Sequence, residues 1–201
     1  DVMKKLTMMA LASLMLMALA APVLALGPVD VDAGLAVNGK YVWRGMVVTP
    51  DPVLQPTIEV SLLGFEAGFW GNMDTNDVNG MEMKFNEIDW TLGYELSLPF
   101  VEVSAGFISY TFPGSDINST TEFYLGAALS VLLSPSVTVY QDIDEFKGAY
   151  WEFGVSHAVA LNPGTDLELS AGVGLGSKSY IDGYFGAPLT LPGVPSVPLD
   201  A

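Results

Sequence analysis

The 201-residue chain carries 7 Lys+Arg against 23 Asp+Glu, a formal net charge of −16, with half of its residues apolar and 15% charged. That balance excludes a nucleic-acid binder working through a basic surface, because phosphate contacts need cationic side chains. The 4 Trp, 8 Tyr and 10 Phe together with the apolar half exclude a disordered chain, and the absence of cysteine removes disulfides, thiolate metal sites and cysteine nucleophiles.

Lys4 and Lys5 precede the apolar stretch Leu6 to Ala21, and Val23-Leu24-Ala25 supplies small residues before a cleavage point. Residues 1–25 therefore read as a secretory signal peptide. A membrane-spanning helix needs about 20 apolar residues, and Thr7, Ser13 and Pro22 interrupt this run. Export removes Asp1, Lys4 and Lys5 and leaves 22 acidic against 5 basic residues. Met3 reads as the true start, and the end at Ala201 without a terminal aromatic is that expected of a fragment.

Residues 26–201 read as one β domain. Nine segments alternate apolar and polar residues with the period of a strand: 30–43, 57–63, 65–71, 87–98, 101–107, 122–131, 137–142, 150–158 and 167–175. The segment 87–98 is the clearest: Ile88, Trp90, Leu92, Tyr94, Leu96 and Leu98 alternate with Glu87, Asp89, Thr91, Gly93, Glu95 and Ser97. Connections alternate too. Long polar stretches (44–56, 72–86, 113–121, 143–149) are interleaved with tight ones such as Gly64, Pro99-Phe100 and Asn162-Pro163-Gly164. Alternating long loops and short turns in a meander of strands about 9–11 residues long is the pattern of outer-membrane barrels. A soluble β-sandwich, with the apolar faces packed together, is the competing fold. The run after Gly176 should be the least regular, because Pro188, Pro192, Pro195 and Pro198 withhold ladder donors.

Further residues point to a family. Tyr41-Val42-Trp43-Arg44-Gly45 and Pro52-Val53-Leu54-Gln55-Pro56 are followed by Gly68-Phe69-Trp70-Gly71-Asn72, Leu92-Gly93-Tyr94 and Tyr150-Trp151-Glu152-Phe153-Gly154-Val155-Ser156-His157. In this order they resemble the TorF-type porin family, bacterial outer-membrane β-barrels otherwise described as conserved proteins of unknown function. The resemblance covers roughly residues 30–176. It implies a barrel with a solute pore, and an aromatic-Arg-Gly step matched here by Arg44.

Strand parity turns Asp32, Glu59, Glu66, Glu87, Asp89, Glu95, Glu102, Glu122, Asp142, Glu152 and Glu168 to the polar face, with Lys40 and Arg44 as the chief cations beside them. A water-filled path lined this way concentrates cations and repels anions. Arg44 is positioned to pair with an inner carboxylate and hold the first loop across the mouth; a structural salt bridge is favoured over a selectivity role, though one pair can do both. Ser156 and His157 cannot form a catalytic dyad on a strand, because neighbours point to opposite faces. The acidic stretch Asp74, Asn76, Asp77, Asn79, Glu82 misses the order of a calcium loop and reads as solvated.

The expectation is an all-β, antiparallel up-and-down transmembrane β-barrel lacking its last strands, in the bacterial outer membrane. Its function would be that of a porin for small solutes or ions; the alternative is a non-conducting structural barrel or surface-loop adhesin. Its partners would be outer-membrane lipid, small solutes or cations, and the barrel-assembly machinery during insertion, with no nucleic acid. No catalytic residue, cofactor or metal is expected.

Overall fold

The computed structural model describes residues 29–77 and 80–186. The expected signal peptide at 1–25, Asn79 and the four prolines after residue 187 lie outside those residues. The described protein is all-β apart from one short helical segment. Nine strands form a single sheet: β1 (Val29–Asn38), β4 (Val53–Leu62), β5 (Phe65–Asp74), β6 (Phe85–Ser97), β7 (Val101–Thr111), β8 (Thr120–Leu129), β9 (Ser136–Asp142), β10 (Ala149–Asn162) and β11 (Thr165–Gly176). Each pairs antiparallel with the next, an up-and-down meander. Between β1 and β4 the chain makes a separate two-stranded hairpin, β2 (Tyr41–Trp43) with β3 (Met46–Thr49).

The period-2 pattern identifies all nine strands, with informative differences at their ends. Alternation continues from β1 into Tyr41-Val42-Trp43, yet the chain bends at Gly39-Lys40 and Tyr41 starts the hairpin instead. Strand β4 begins at Val53 and runs through Pro56; its ladder with β5 skips Gln55 and Pro56, where proline offers no N–H. Strand β5 extends to Asp74, which is therefore a buried strand residue and not part of the solvated acidic loop. Over the described residues 177–186 the chain is helical: α1 (Lys178–Tyr180) passes into a π-helical turn at Ile181–Phe185 and buries Tyr180 completely.

The four connections that begin at residues 39, 75, 112 and 143 fall at one end of the sheet, and the six-residue connection 130–135 falls at the other. Residues 39–52, 75–84, 112–119, 143–148 and the helical segment thus share the first end, and tight turns such as Leu63-Gly64 and Pro163-Gly164 lie at the second. Leu63 (φ 52) and Gly64 (φ 87) form a two-residue loop with both residues left-handed, which matches the twist of the flanking strands.

The two faces have opposite chemistry. Trp90, Leu92, Tyr94, Leu125, Phe153 and Leu169 are 57%, 62%, 41%, 47%, 41% and 55% exposed on the outer face. The buried set is Tyr41, Val53, Tyr110, Tyr150 and Tyr180 together with Thr49, Gln55, Asn72, Asp74, Glu87, Thr120, Glu122 and Asp142. A sandwich would bury its apolar face against a second sheet; this sheet exposes that face and buries polar groups.

A closed barrel is not formed by the described residues. With nine alternating strands, β1 and β11 both run toward the long-loop end, so they cannot pair antiparallel, and the described sheet is open. No helix among the described residues is long and apolar enough to cross a membrane, which says nothing of strands.

Leu63 is exposed and left-handed, a conformation costing a non-glycine residue about 1–2 kcal/mol. Replacing Leu63→Asn, which tolerates that region, should raise stability by up to about 1 kcal/mol. An unchanged or lower urea midpoint would contradict this.

Candidate functional site

The register carries one row of polar positions across the whole sheet. Asp32 opposes Glu59, which opposes Gly68 and then Thr91. Glu66, Glu87, Asp89, Glu95, Glu102, Glu122, Asp142, Glu152 and Glu168 fall on this same face by their strand partners. All eleven acids picked out by parity thus share a face, but they do not share an environment.

At the long-loop end the face is filled. The β2–β3 hairpin folds onto it with Arg44 and Gly45 as its two-residue turn (φ 48 and 83). Arg44 therefore reaches the inner face as a hairpin tip, not as the last residue of the first strand. Its guanidinium donates from Nη1 to Glu122 Oε1 and from Nη2 to Glu122 Oε2, both at 2.8 Å. Tyr110 donates to Oε2 and Tyr180 to Oε1, again at 2.8 Å each. One carboxylate thus accepts four charge-assisted or phenolic hydrogen bonds, and the Arg44 and Glu122 side chains are 7% and 0% exposed.

Aromatic rings enclose the pair. The guanidinium carbon lies 4.0 Å from the ring centre of Tyr140, 4.5 Å from Trp43, 4.8 Å from Tyr150 and 5.5 Å from Tyr180. Trp43 also meets Tyr110, Tyr184 and Phe185, while Tyr41 packs on Trp70. One hairpin thus touches β5, β7, β8, β9, β10 and the helical segment, which requires the polar face to curl around it, as the twist of a large sheet allows.

Burial works against charge on Arg44, but Tyr110 and Glu122 outweigh it and hold the guanidinium above its ordinary range. Burial, then the charges of Glu87 and Asp89, push the Tyr41 hydroxyl above the usual tyrosine range. Burial, then Glu122 and the bond to Asp142, do the same to Tyr184.

Two further networks close the same end. Asn38 Nδ2 donates to Gln55 Oε1 at 2.7 Å, Gln55 Nε2 to Asn72 Oδ1 at 3.0 Å, and Asn72 Nδ2 to Asn86 Oδ1 at 2.8 Å. Asn86 Nδ2 completes the ladder on Asp74 Oδ2 at 2.8 Å, joining β1, β4, β5 and β6. Asp142 is consumed by structure: Thr120 and Tyr184 donate to Oδ2, and the backbone N–H groups of Asp144, Phe146 and Lys147 donate to Oδ1. It pins a loop and lines no open path.

The short-turn half is open. There Asp32, Glu59, Glu102 and Glu168 are exposed and Glu66 and Glu95 half-buried, whereas Glu152, also exposed, lies toward the long-loop end of β10. The described cations Lys40, Arg44, Lys84, Lys147 and Lys178 all belong to the long-loop end. Lys40 is exposed in the bend after β1, outside the strands of the sheet. A depression of about 240 Å³ beside Glu59 and Glu66 is floored by Thr57, Gly68, Trp70 and Thr91. No group of three or more acids and histidines among the described residues is placed to hold a metal ion.

Sequence reasoning missed the tyrosines. Tyr140 and Tyr150 sat on the polar parity as visible outliers, whereas Tyr180 gave no periodic signal. Removing one partner of a buried pair costs about 3–5 kcal/mol, so Arg44→Ala and Glu122→Gln should each destabilise by that order. Replacing both with apolar residues of similar volume should cost far less than the sum, read from a double-mutant cycle of urea unfolding. Because Tyr41 and Tyr184 ionise less readily folded than unfolded, their contribution is complete below about pH 10 and falls above it. Substituting both with Phe should flatten that alkaline decline in unfolding midpoint.

A family model described as "Bacterial protein of unknown function (Gcw_chp)" matches residues 23–143, which spans β1 to β9 and includes both Arg44 and Glu122. None of the curated proteins matches, and neither does any solved structure. The chain, matched over more than half its length, belongs to the Gcw_chp family of bacterial proteins of unknown function.

Proposed function

We propose that the chain is the greater part of an outer-membrane β-barrel through which small solutes and cations diffuse along an acid-lined interior. One observation carries the reading: the sheet is inside-out, with Trp, Leu and Phe exposed on one face and Tyr, Asn, Asp and Glu buried on the other. In water such an exposed apolar face costs free energy; against lipid chains it is the favourable arrangement, provided the sheet closes so that no edge is left unpaired. The long loops at one end and tight turns at the other agree with this, as does the resemblance to TorF-type porins.

Strand direction constrains how the sheet closes. Since β1 and β11 are parallel in sense, antiparallel closure takes an odd number of further strands between them. Export through a cleaved signal and insertion by the barrel-assembly machinery are part of the same proposal. The mechanism is diffusion, with no catalytic group. Open acids at the short-turn end raise the local cation concentration, and salt screens them only in part within a confined path.

A second reading, a non-conducting structural barrel or surface-loop adhesin, draws on a separate observation: the hairpin, Arg44–Glu122 and the helical segment fill the long-loop mouth. Planar-bilayer recording separates the two. The complete protein should conduct and prefer cations, and Glu59, Glu95 and Glu102 changed together to Gln should move the reversal potential in a salt gradient toward zero. A silent bilayer with correctly inserted protein favours the structural barrel; anion preference refutes the electrostatic argument.

The outer face gives an independent check. Leu92→Arg should destabilise the protein in lipid vesicles by about 2–4 kcal/mol, as a charge near the bilayer midplane does. A soluble, detergent-free fold that tolerates the change would refute the membrane reading.

A further inference from the structure

The Arg44 guanidinium is held as a ligand is held by a receptor. Glu122 supplies a bidentate carboxylate, and Tyr110 and Tyr180 hold that carboxylate in place from its other lone pairs. Tyr140 and Tyr150 cover the flat faces of the cation. These groups belong to β7, β8, β9, β10 and the helical segment, not to the hairpin. Only Trp43 and Arg44 itself arrive with the hairpin, at the tip of a two-residue turn.

Withdrawal of the hairpin would therefore leave the receptor assembled: a carboxylate in an aromatic box. That chemistry selects a guanidinium over an ammonium, because a planar fork matches two carboxylate oxygens and its faces stack on rings, whereas an ammonium is a compact point charge. Arg44 is the only arginine among these 201 residues, so no other guanidinium within them competes for the box. The acids of the short-turn half lie on the same face and would draw cations toward it.

We propose that the Glu122 box is a binding site for small guanidinium-bearing organic cations and that Arg44 is its built-in competitor. The further step, that such cations pass through the protein, rests on the pore reading; the binding does not. Arg44 is tethered, and tethering by a short segment corresponds to an effective concentration in the millimolar range. A free cation therefore competes with it at millimolar levels and above, and meets no competitor once Arg44 is removed.

The test uses methylguanidinium as probe, with methylammonium at equal concentration as the control for ionic strength and charge. Refolded Arg44→Ala protein in detergent should gain about 3–6 °C in unfolding midpoint when methylguanidinium reaches ten times its Kd. Methylammonium should give a markedly smaller gain, and Arg44→Ala combined with Glu122→Gln should give none. Equal gains with both cations, or a gain that survives the Glu122 change, would overturn the proposal.

If Arg44→Ala does not fold, wild-type protein decides: methylguanidinium at tens of millimolar should speed amide hydrogen exchange across residues 41–49 more than methylammonium does. Equal exchange in the two salts would again overturn it. Conduction without guanidinium binding would sink this inference and leave the pore standing, while binding without conduction would do the reverse.

Discussion

Glu122 is fully buried, and each of its oxygens accepts two hydrogen bonds, one from Arg44 and one from a tyrosine. Desolvating two opposite charges costs several kcal/mol per ion, and only near-ideal geometry with every remaining lone pair satisfied offsets it. Here the geometry is bidentate and the remaining lone pairs are taken by Tyr110 and Tyr180. The consequence reaches across the chain: a residue of the first loop, two strands and the helical segment after β11 converge on one carboxylate. The hairpin and the helical segment stay inside the curl of the sheet because leaving would strand that charge.

The distribution of polarity follows the same logic at larger scale. Three hydrogen-bonded networks, around Arg44, along the Asn38–Gln55–Asn72–Asn86 ladder and at Asp142, lie at the long-loop end, where buried polar groups are packed against each other and, Asp89 Oδ1 apart, are paired. Toward the short turns the same face is open, and its acids meet no cation among the described residues. Glycines make room between the halves: a Cβ at Gly93 or Gly106 would run into the Tyr124 ring or hydroxyl, so Tyr124 lies flat over both. The outer face has no such demands and carries side chains chosen for bulk and apolar character.

Strand periodicity was enough to establish which residues share a face. A period of two is set by the pleat itself, so Glu87, Asp89 and Glu95 had to oppose Trp90, Leu92 and Tyr94 whatever the strands pair with. The meander order and the ends at which long and short connections fall were legible for the same reason: they depend on local turn chemistry. Where the strands stop was less legible. Alternation runs unbroken from β1 into Tyr41 and Trp43, and Pro56 read as a loop residue, because neither pattern nor propensity reports on pairing partners.

The sequence by itself determined the amphipathic sheet, its single acidic face and the candidacy of Arg44. Only the tertiary structure decided that Arg44 sits at a hairpin tip, that its partner among eleven acids is Glu122, 78 residues away, and that Tyr180 from a helical segment completes the site. It also moved Asp74 and Asp142 from the roles of loop acid and lining acid to buried structural acceptors. The physical reason is the range of the interactions. Facing is fixed within two residues of chain, whereas a buried charge selects its partner through burial, ring stacking and hydrogen-bond geometry that exist only once distant strands have been brought together.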